Sequence, residues 1–200
     1  MEVCSARPTC TADTGRVIGA AFEAVLAKAQ SGDDAAFARI FRDVQPALLR
    51  YLRVIAPDGA DDVAGDTWMQ VVDGLARFRG DEASFRAWLF TIARHRAVDW
   101  GRRRSRRRTV GLEDSGAAEL LRAPDAADVA LERMSTRAAV AAVATLPRDQ
   151  AEIILLRVLA GLDTHQVARI IGKSPGAVRV AAHRGLRRLA ALANSTGVTV

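Results

Sequence analysis

The sequence predicts an all-α protein: two small helical domains joined by an acidic linker, the C-terminal one built around a helix-turn-helix. Three observations predict it. Apolar residues recur at helical spacing along almost the whole chain, and strand-like alternation appears only in short tail fragments. Charge alternates in blocks. Arg102 to Arg108 (RRRSRRR) carries six arginines, residues 109–132 carry six acids against Arg122 alone, and residues 163–192 carry six bases against Asp163. Finally, DTHQVARIIGKSPGAVRVAAHRGLRRL, starting at Asp163, has the caps and crossing stripes of a helix-turn-helix.

The elements follow in order. Residues 1–18 lack an apolar period and predict a disordered tail. Phe22, Val25, Leu26 and Ala29 mark a short first helix closed by Gly32. Asp33 or Asp34 caps the next, whose stripe runs from Phe37 to Ile55 with a kink expected at Pro46. After the Pro57-Asp58-Gly59 turn, a third helix is expected from Asp61 or Asp62 to about Phe78. Ala64, Trp68, Val71, Val72 and Leu75 form its core face. Asp62, Asp66, Gln70 and Asp73 fall on the other side, an acidic stripe whose spacing fits a solvated face as well as a docking surface. A fourth helix is expected from Ser84 or Phe85 into the arginine run, with Phe85, Trp88, Leu89, Ile92 and Ala93 inward and Arg86 and Arg94 pointing elsewhere. Residues 109–129, rich in Ala, Gly and Asp, read as the linker. The domains therefore span 19–108 and 130–193, with 194–200 as a tail.

In the C-terminal domain Pro147 opens a helix bearing Ile153, Ile154, Leu155 and Val158. Asp163 and Gln166 form a capping-box pattern, Gly172 supplies the helix stop, and Ser174-Pro175 restarts a helix. In that second helix Val178, Ala182, Leu186 and Leu189 share one face and are expected to be buried. Gly176, Arg179, Val180, His183 and Arg187 face the other way, toward a DNA groove, with Arg184 and Arg188 on the flank for phosphates.

Composition narrows the function classes. The net charge of +6 equals the excess carried by the arginine run, so two basic surfaces separated by an acidic connector point to a nucleic-acid partner. The three histidines are scattered, and Cys4 and Cys10 lack zinc-ligand spacing, so neither a metal nor another cofactor is expected. No phosphate-binding glycine loop, nucleophile elbow or paired-acid arrangement appears, which argues against a catalytic residue set and an enzyme. No apolar run approaches the roughly 18 residues of a membrane span, and the N-terminus has no signal-peptide core; a cytoplasmic protein without membrane insertion is expected. On the residues alone, a stand-alone helix-turn-helix regulator also explains the C-terminal domain, though not the N-terminal one.

The motifs resemble a known family. FRGDEASFRAWLFTIARHRAVDWGRRRSRR looks like the promoter-melting segment of the extracytoplasmic-function (ECF) group of bacterial sigma-70-type RNA polymerase sigma factors. DDVAGDTWMQVVDGLARF is similar to that group's polymerase-binding helix, and LPRDQAEIILLRVLAGLDTHQVARIIGKSPGAVRVAAHRGLRRL to its −35 domain. The resemblance implies docking on core RNA polymerase, with Asp62, Asp66, Gln70 and Asp73 against the clamp coiled coil and the C-terminal domain on the flap. It implies that Phe78, Arg79, Gly80, Asp81 and Ser84 surround a base extruded from the −10 element. Arg86, Arg94, Arg102, Arg103 and Arg104 are then the phosphate contacts beside it. It further implies that Lys173, Ser174, Arg179, Val180, His183, Arg184 and Arg187 meet the −35 element, and that an anti-sigma factor is a partner. The chain departs from the family pattern at Gly65 inside the third helix and at Gly101, where the fourth helix is expected to end or bend. It departs again at Val180-Ala181-Ala182, a stretch usually more polar.

Overall fold

A computed structural model describes residues 18–109 and 137–195. Most of the expected tails (1–18 and 194–200), of the expected linker (109–129) and residues 130–136 of the expected second domain lie outside the described residues, while α8 continues to Ser195, into the expected tail. Those described are helical, with short 3₁₀ turns and no strand. α1 is Phe22–Gln30, α2 Asp34–Ile55, α3 Ala60–Leu75 and α4 Glu82–Thr109. A helical stretch at 137–144 is α5, followed by α6 Arg148–Val158, α7 Thr164–Ile171 and α8 Pro175–Ser195.

Each boundary has a local cause. The Asp33 carboxylate accepts from the amides of Ala35 and Ala36 (2.9 and 3.0 Å), satisfying two orphan donors at the start of α2. That helix runs on through Pro46, which is exposed, so the lost backbone bond falls on the solvent side. α4 starts earlier than the hydrophobic period suggested, at Glu82, because the Asp81 side chain accepts from the Ser84 amide at 2.9 Å. It also continues past Gly101 to Thr109, so the expected break does not occur.

In the N-terminal domain α2, α3 and α4 share one core. Ile40, Leu48 and Tyr51 from α2, Val63 and Val71 from α3, and Phe85, Leu89 and Phe90 from α4 are essentially inaccessible to solvent. Trp68 closes one end: its indole lies against Phe41 (4.9 Å) and Phe37 (5.9 Å), and its N–H donates to Gln45 Oε1 at 2.6 Å. Gly59 ends the Pro57–Gly59 turn directly beneath Trp100 of α4, where a Cβ would fall 2.2 Å from the ring.

In the C-terminal domain α8 crosses α6 at Gly185. A Cβ there would sit 2.7 Å from Ile154 Cδ1, so a side chain is excluded by the crossing itself. Gly185 therefore takes the place in the buried stripe expected for Leu186, which is 53% exposed. Val72, expected on the core face of α3, is 53% exposed: among the described residues no helix covers its side of α3. The two domains touch: α6 packs on α2, and α7 on α4.

Candidate nucleic-acid and polymerase interfaces

The helix-turn-helix forms as its caps dictate. Asp163 accepts from the Gln166 amide (2.8 Å) while Gln166 Oε1 accepts from the Asp163 amide (2.9 Å), a reciprocal box. Gly172 takes the left-handed conformation (φ 69°), and Ser174 Oγ accepts from the Ala177 amide at 3.2 Å. With Val178, Ala182 and Gly185 buried, Arg179, Val180, His183, Arg184 and Arg187 stand exposed on α8. Lys173 lies at the turn, its ammonium paired with the Asp149 carboxylate. Arg188 instead donates to Gln150 Oε1 (3.1 Å) and helps tie α8 to α6. A shallow concavity of about 600 Å³ beside Lys173 is lined by His165 and Arg169. Sequence reasoning passed over both, although their i, i+4 spacing on the outer side of α7 was readable.

The segment between α3 and α4 is held by an aromatic cluster and by hydrogen bonds to its backbone. Phe78 stacks on Trp88 (5.1 Å) and meets Phe85 edge-on (5.5 Å), and Phe85 in turn packs against Phe22 (5.6 Å). Gln30 of α1, another residue missed from sequence, donates to the carbonyls of Leu75 and Phe78 at 2.9 and 2.8 Å. Arg79 folds back to donate to the carbonyls of Ala76 and Phe78. Gly80 has φ 152°, and a Cβ there would lie 2.9 Å from Ser84 Cβ. Phe78, Arg79, Gly80, Asp81 and Ser84 thus lie in one loop and the first turn of α4, and the last four are exposed.

The arginines of α4 divide into three kinds. Arg86 does not point outward: it is 4% exposed and paired with Glu82 (3.2 Å), whose other oxygen accepts from the Gly19 amide. One of its terminal nitrogens is buried without a hydrogen-bond partner. In this arrangement Arg86 reaches no phosphate; it braces the start of α4. Arg94 is turned toward the other domain. Arg102, Arg103 and Arg104 are surface groups, with Arg103 lying 3.9 Å from Asp66 and Arg104 3.2 Å from Asp58. Pairs this exposed contribute on the order of 0–1 kcal/mol and exchange readily for other partners.

Asp62, Asp66, Gln70 and Asp73 are all exposed along α3, with Gln70 Oε1 accepting from Arg96 at 3.1 Å. Met69, 69% exposed, sits among them, and Val72 lies beside them. The stripe is acidic with an apolar centre, which the charge pattern alone had not revealed. Among the described residues no cluster of His, Cys, Asp or Glu has the arrangement of a metal site, and no helix is long and apolar enough to cross a membrane.

Between the domains Glu152 Oε1 accepts from Tyr51 OH (3.0 Å) and from Arg94 Nε (2.9 Å). Burial, and then the Glu152 charge, push the Tyr51 phenol well above its ordinary value of 10.0. A raised folded value means the phenol's contribution is complete below about pH 10 and is lost as pH climbs through the folded value. Tyr51 is the only tyrosine of the chain, so near-ultraviolet absorbance of tyrosinate reports it alone. The native chain is expected to develop that absorbance at distinctly higher pH than the chain in denaturant; coincident curves would refute the burial.

Residues 40–107 match the family model described as Sigma-70 region 2, and residues 136–189 that described as Sigma-70, region 4. The chain is 34% identical over 182 residues to the ECF RNA polymerase sigma factor SigD of Mycobacterium tuberculosis strain H37Rv, covering 86% of this chain and 83% of that relative. It is 35% identical over 192 residues to the ECF RNA polymerase sigma factor ShbA of Streptomyces griseus, covering 90% and 97%. Among solved structures it resembles the sigma factor RpoE from Bartonella quintana, crystallised with the anti-sigma factor NepR. The TM-score is 0.59 at 26% identity, over 79% of this chain and 96% of that one. CnrH, solved with the cytosolic domain of CnrY, shares the fold with a TM-score of 0.56 at 23% identity, over 88% and 98%.

Proposed function

This chain belongs to the ECF group of sigma-70-type RNA polymerase sigma factors, which direct core polymerase to promoters, and we propose that its described surfaces divide that task between them. The observation that carries the division is the order of exposed faces: an acidic stripe on α3, a shaped loop before α4, arginines along α4, and a basic face on α8. α3 docks on the clamp coiled coil of core polymerase through Asp62, Asp66, Gln70 and Asp73, with Met69 as the apolar contact at the centre. The C-terminal domain docks on the flap.

The −10 element is captured by Phe78, Arg79, Gly80, Asp81 and Ser84, which surround an extruded base. Extrusion costs a few kcal/mol of stacking, which a preformed pocket and backbone contacts offset. Arg94, Arg102, Arg103 and Arg104 supply those contacts, exchanging their carboxylate partners for phosphates. Arg86 is left out of this set and braces the start of α4 from inside. The −35 element is met by Lys173, Ser174, Arg179, Val180, His183, Arg184 and Arg187, with the Val180 side chain suited to a thymine methyl group. The chain acts in the cytoplasm, without a catalytic group of its own, and an anti-sigma factor restrains it; the likeness to RpoE, solved with NepR, supports that last assignment.

The test is reconstitution. Purified chain added to core polymerase is expected to start transcripts at a defined set of promoters, mapped on genomic DNA, and neither component alone should do so. Failure to bind core or to select any start site would overturn the reading. Arg187→Ala is expected to weaken promoter binding and lower the slope of log affinity against log salt by about one, as loss of one phosphate contact requires. An unchanged slope with lost base preference would move Arg187 onto a base edge.

A further inference from the structure

The loop between α3 and α4 is tied at both ends to a single short element. Where α4 begins, the Gly19 amide, just ahead of α1, donates to Glu82 Oε2 (2.9 Å), and Phe22, the first residue of α1, meets Phe85 at 5.6 Å. Where α3 ends, Gln30, the last residue of α1, donates from Nε2 to the carbonyls of Leu75 (2.9 Å) and Phe78 (2.8 Å). Between these ties Phe22, Val25, Leu26 and Ala29 are buried, so α1 is anchored in the core of the domain.

Gln30 holds a peptide plane as well as a helix end. Its side-chain NH2 carries two donors, and each meets a carbonyl, which also fixes the way the amide is turned. The last carbonyls of a helix have no amide of their own helix to accept from, and Gln30 supplies a donor to Leu75 from another element. The Phe78 carbonyl is held twice, because Arg79 Nη1 also donates to it at 2.7 Å. Rotating the Phe78–Arg79 peptide would break both bonds. That peptide is trans, so with its carbonyl drawn to Gln30 the Arg79 N–H points away from α1. Among the described residues neither this amide nor that of Gly80 donates to a backbone carbonyl.

We propose that Gln30 is a positioning residue for base recognition: from α1 it fixes the Phe78–Arg79 peptide so that the Arg79 N–H is presented to the extruded base. This role rests on the reading of the loop as the base pocket. A fixed backbone donor selects by chemistry. A base that offers a ring nitrogen or carbonyl opposite the N–H is accepted, whereas one that offers an amino group leaves two donors facing each other unpaired. A donor already held in place also loses little freedom on meeting its acceptor.

The experiment uses core polymerase carrying the full chain, on a mapped promoter randomised across its −10 element with the −35 element kept. Gln30→Met keeps length and volume and removes both donors. Gln30→Lys restores donors where the carbonyls ending α3 favour a cation. In transcription from the library, Gln30→Met is expected to lose roughly five-fold or more of the base preference at one −10 position, as loss of one oriented hydrogen bond implies. Preferences at the other positions should stand, and Gln30→Lys should recover the lost one. Preferences unchanged throughout, or weakened evenly at every −10 position, overturn the proposal. So does a loss common to both variants, which would tie the effect to shape and not to the donors. Gly80→Ala, whose Cβ would lie 2.9 Å from Ser84 Cβ, tests the pocket itself. If it changes no −10 preference, the base-pocket reading fails and the role of Gln30 falls with it. If it does while Gln30→Met does not, only the positioning role falls.

Discussion

Phe85→Ala is expected to destabilise the N-terminal domain by about 3–5 kcal/mol, a large part of the 5–15 kcal/mol typical of a whole protein. Phe85 is completely buried and is the ring on which Phe22, Phe78 and Trp88 converge, at 5.6, 5.5 and 5.9 Å. Truncation removes the apolar transfer energy of the ring and leaves a void bounded by three other aromatic side chains. It also unseats Phe78, and with it the loop proposed to hold the extruded base. Urea denaturation of the full chain checks the stability, with Met69→Ala as the exposed control expected to shift it by less than about 0.5 kcal/mol. A loss below about 1 kcal/mol for Phe85→Ala would mean that the cluster is not what supports the loop.

The second large effect is expected at the acidic stripe. Asp62→Lys combined with Asp73→Lys should lower affinity for core polymerase by roughly 100-fold or more, because like charges forced together at an interface cost several kcal/mol. Both positions are exposed and eleven residues apart, hence on one side of α3. Folding should suffer little. Asp62 lies in the first turn of α3, where an acid favours the helix dipole, so a loss of about 0.3–1 kcal/mol is expected there. Fluorescence titration of labelled chain with core polymerase measures the affinity, and an unchanged value would remove α3 from the contact.

Local chemistry was legible in the sequence and tertiary neighbours were not. Asp163, Gln166, Gly172 and Ser174 act through bonds to residues within a few positions, and each appears where its type and spacing required. Helical period, by contrast, defines a face without saying which neighbour covers it. It placed Leu186 inside because leucine looks apolar and Gly185 does not, yet the crossing with α6 needs the residue that has no side chain. Val72 failed for the related reason that, among the described residues, no helix comes to cover it. Arg86 was misplaced because charge was read as a sign of exposure, although Glu82 four residues earlier offered the partner that buries it. The loop before α4 could be located as a group, but its support by Gln30 spans 48 residues. Glu152 lies 101 residues from Tyr51, and no pattern in the chain links them.

α4 runs unbroken for 28 residues from the loop at Asp81 to Thr109, with Trp100 seated over Gly59. At 1.5 Å per residue this is a strut of about 42 Å, comparable to the rise of roughly a dozen base pairs of duplex. On the proposed roles it is a gauge: with the proposed base pocket at one end and the arginine run at the other, the distance between the base and the backbone they are proposed to hold is set by counting residues. Removing one helical turn between Trp100 and the pocket would shorten that gauge by about 5 Å and turn mismatched strand length, not mismatched sequence, into the cost of opening.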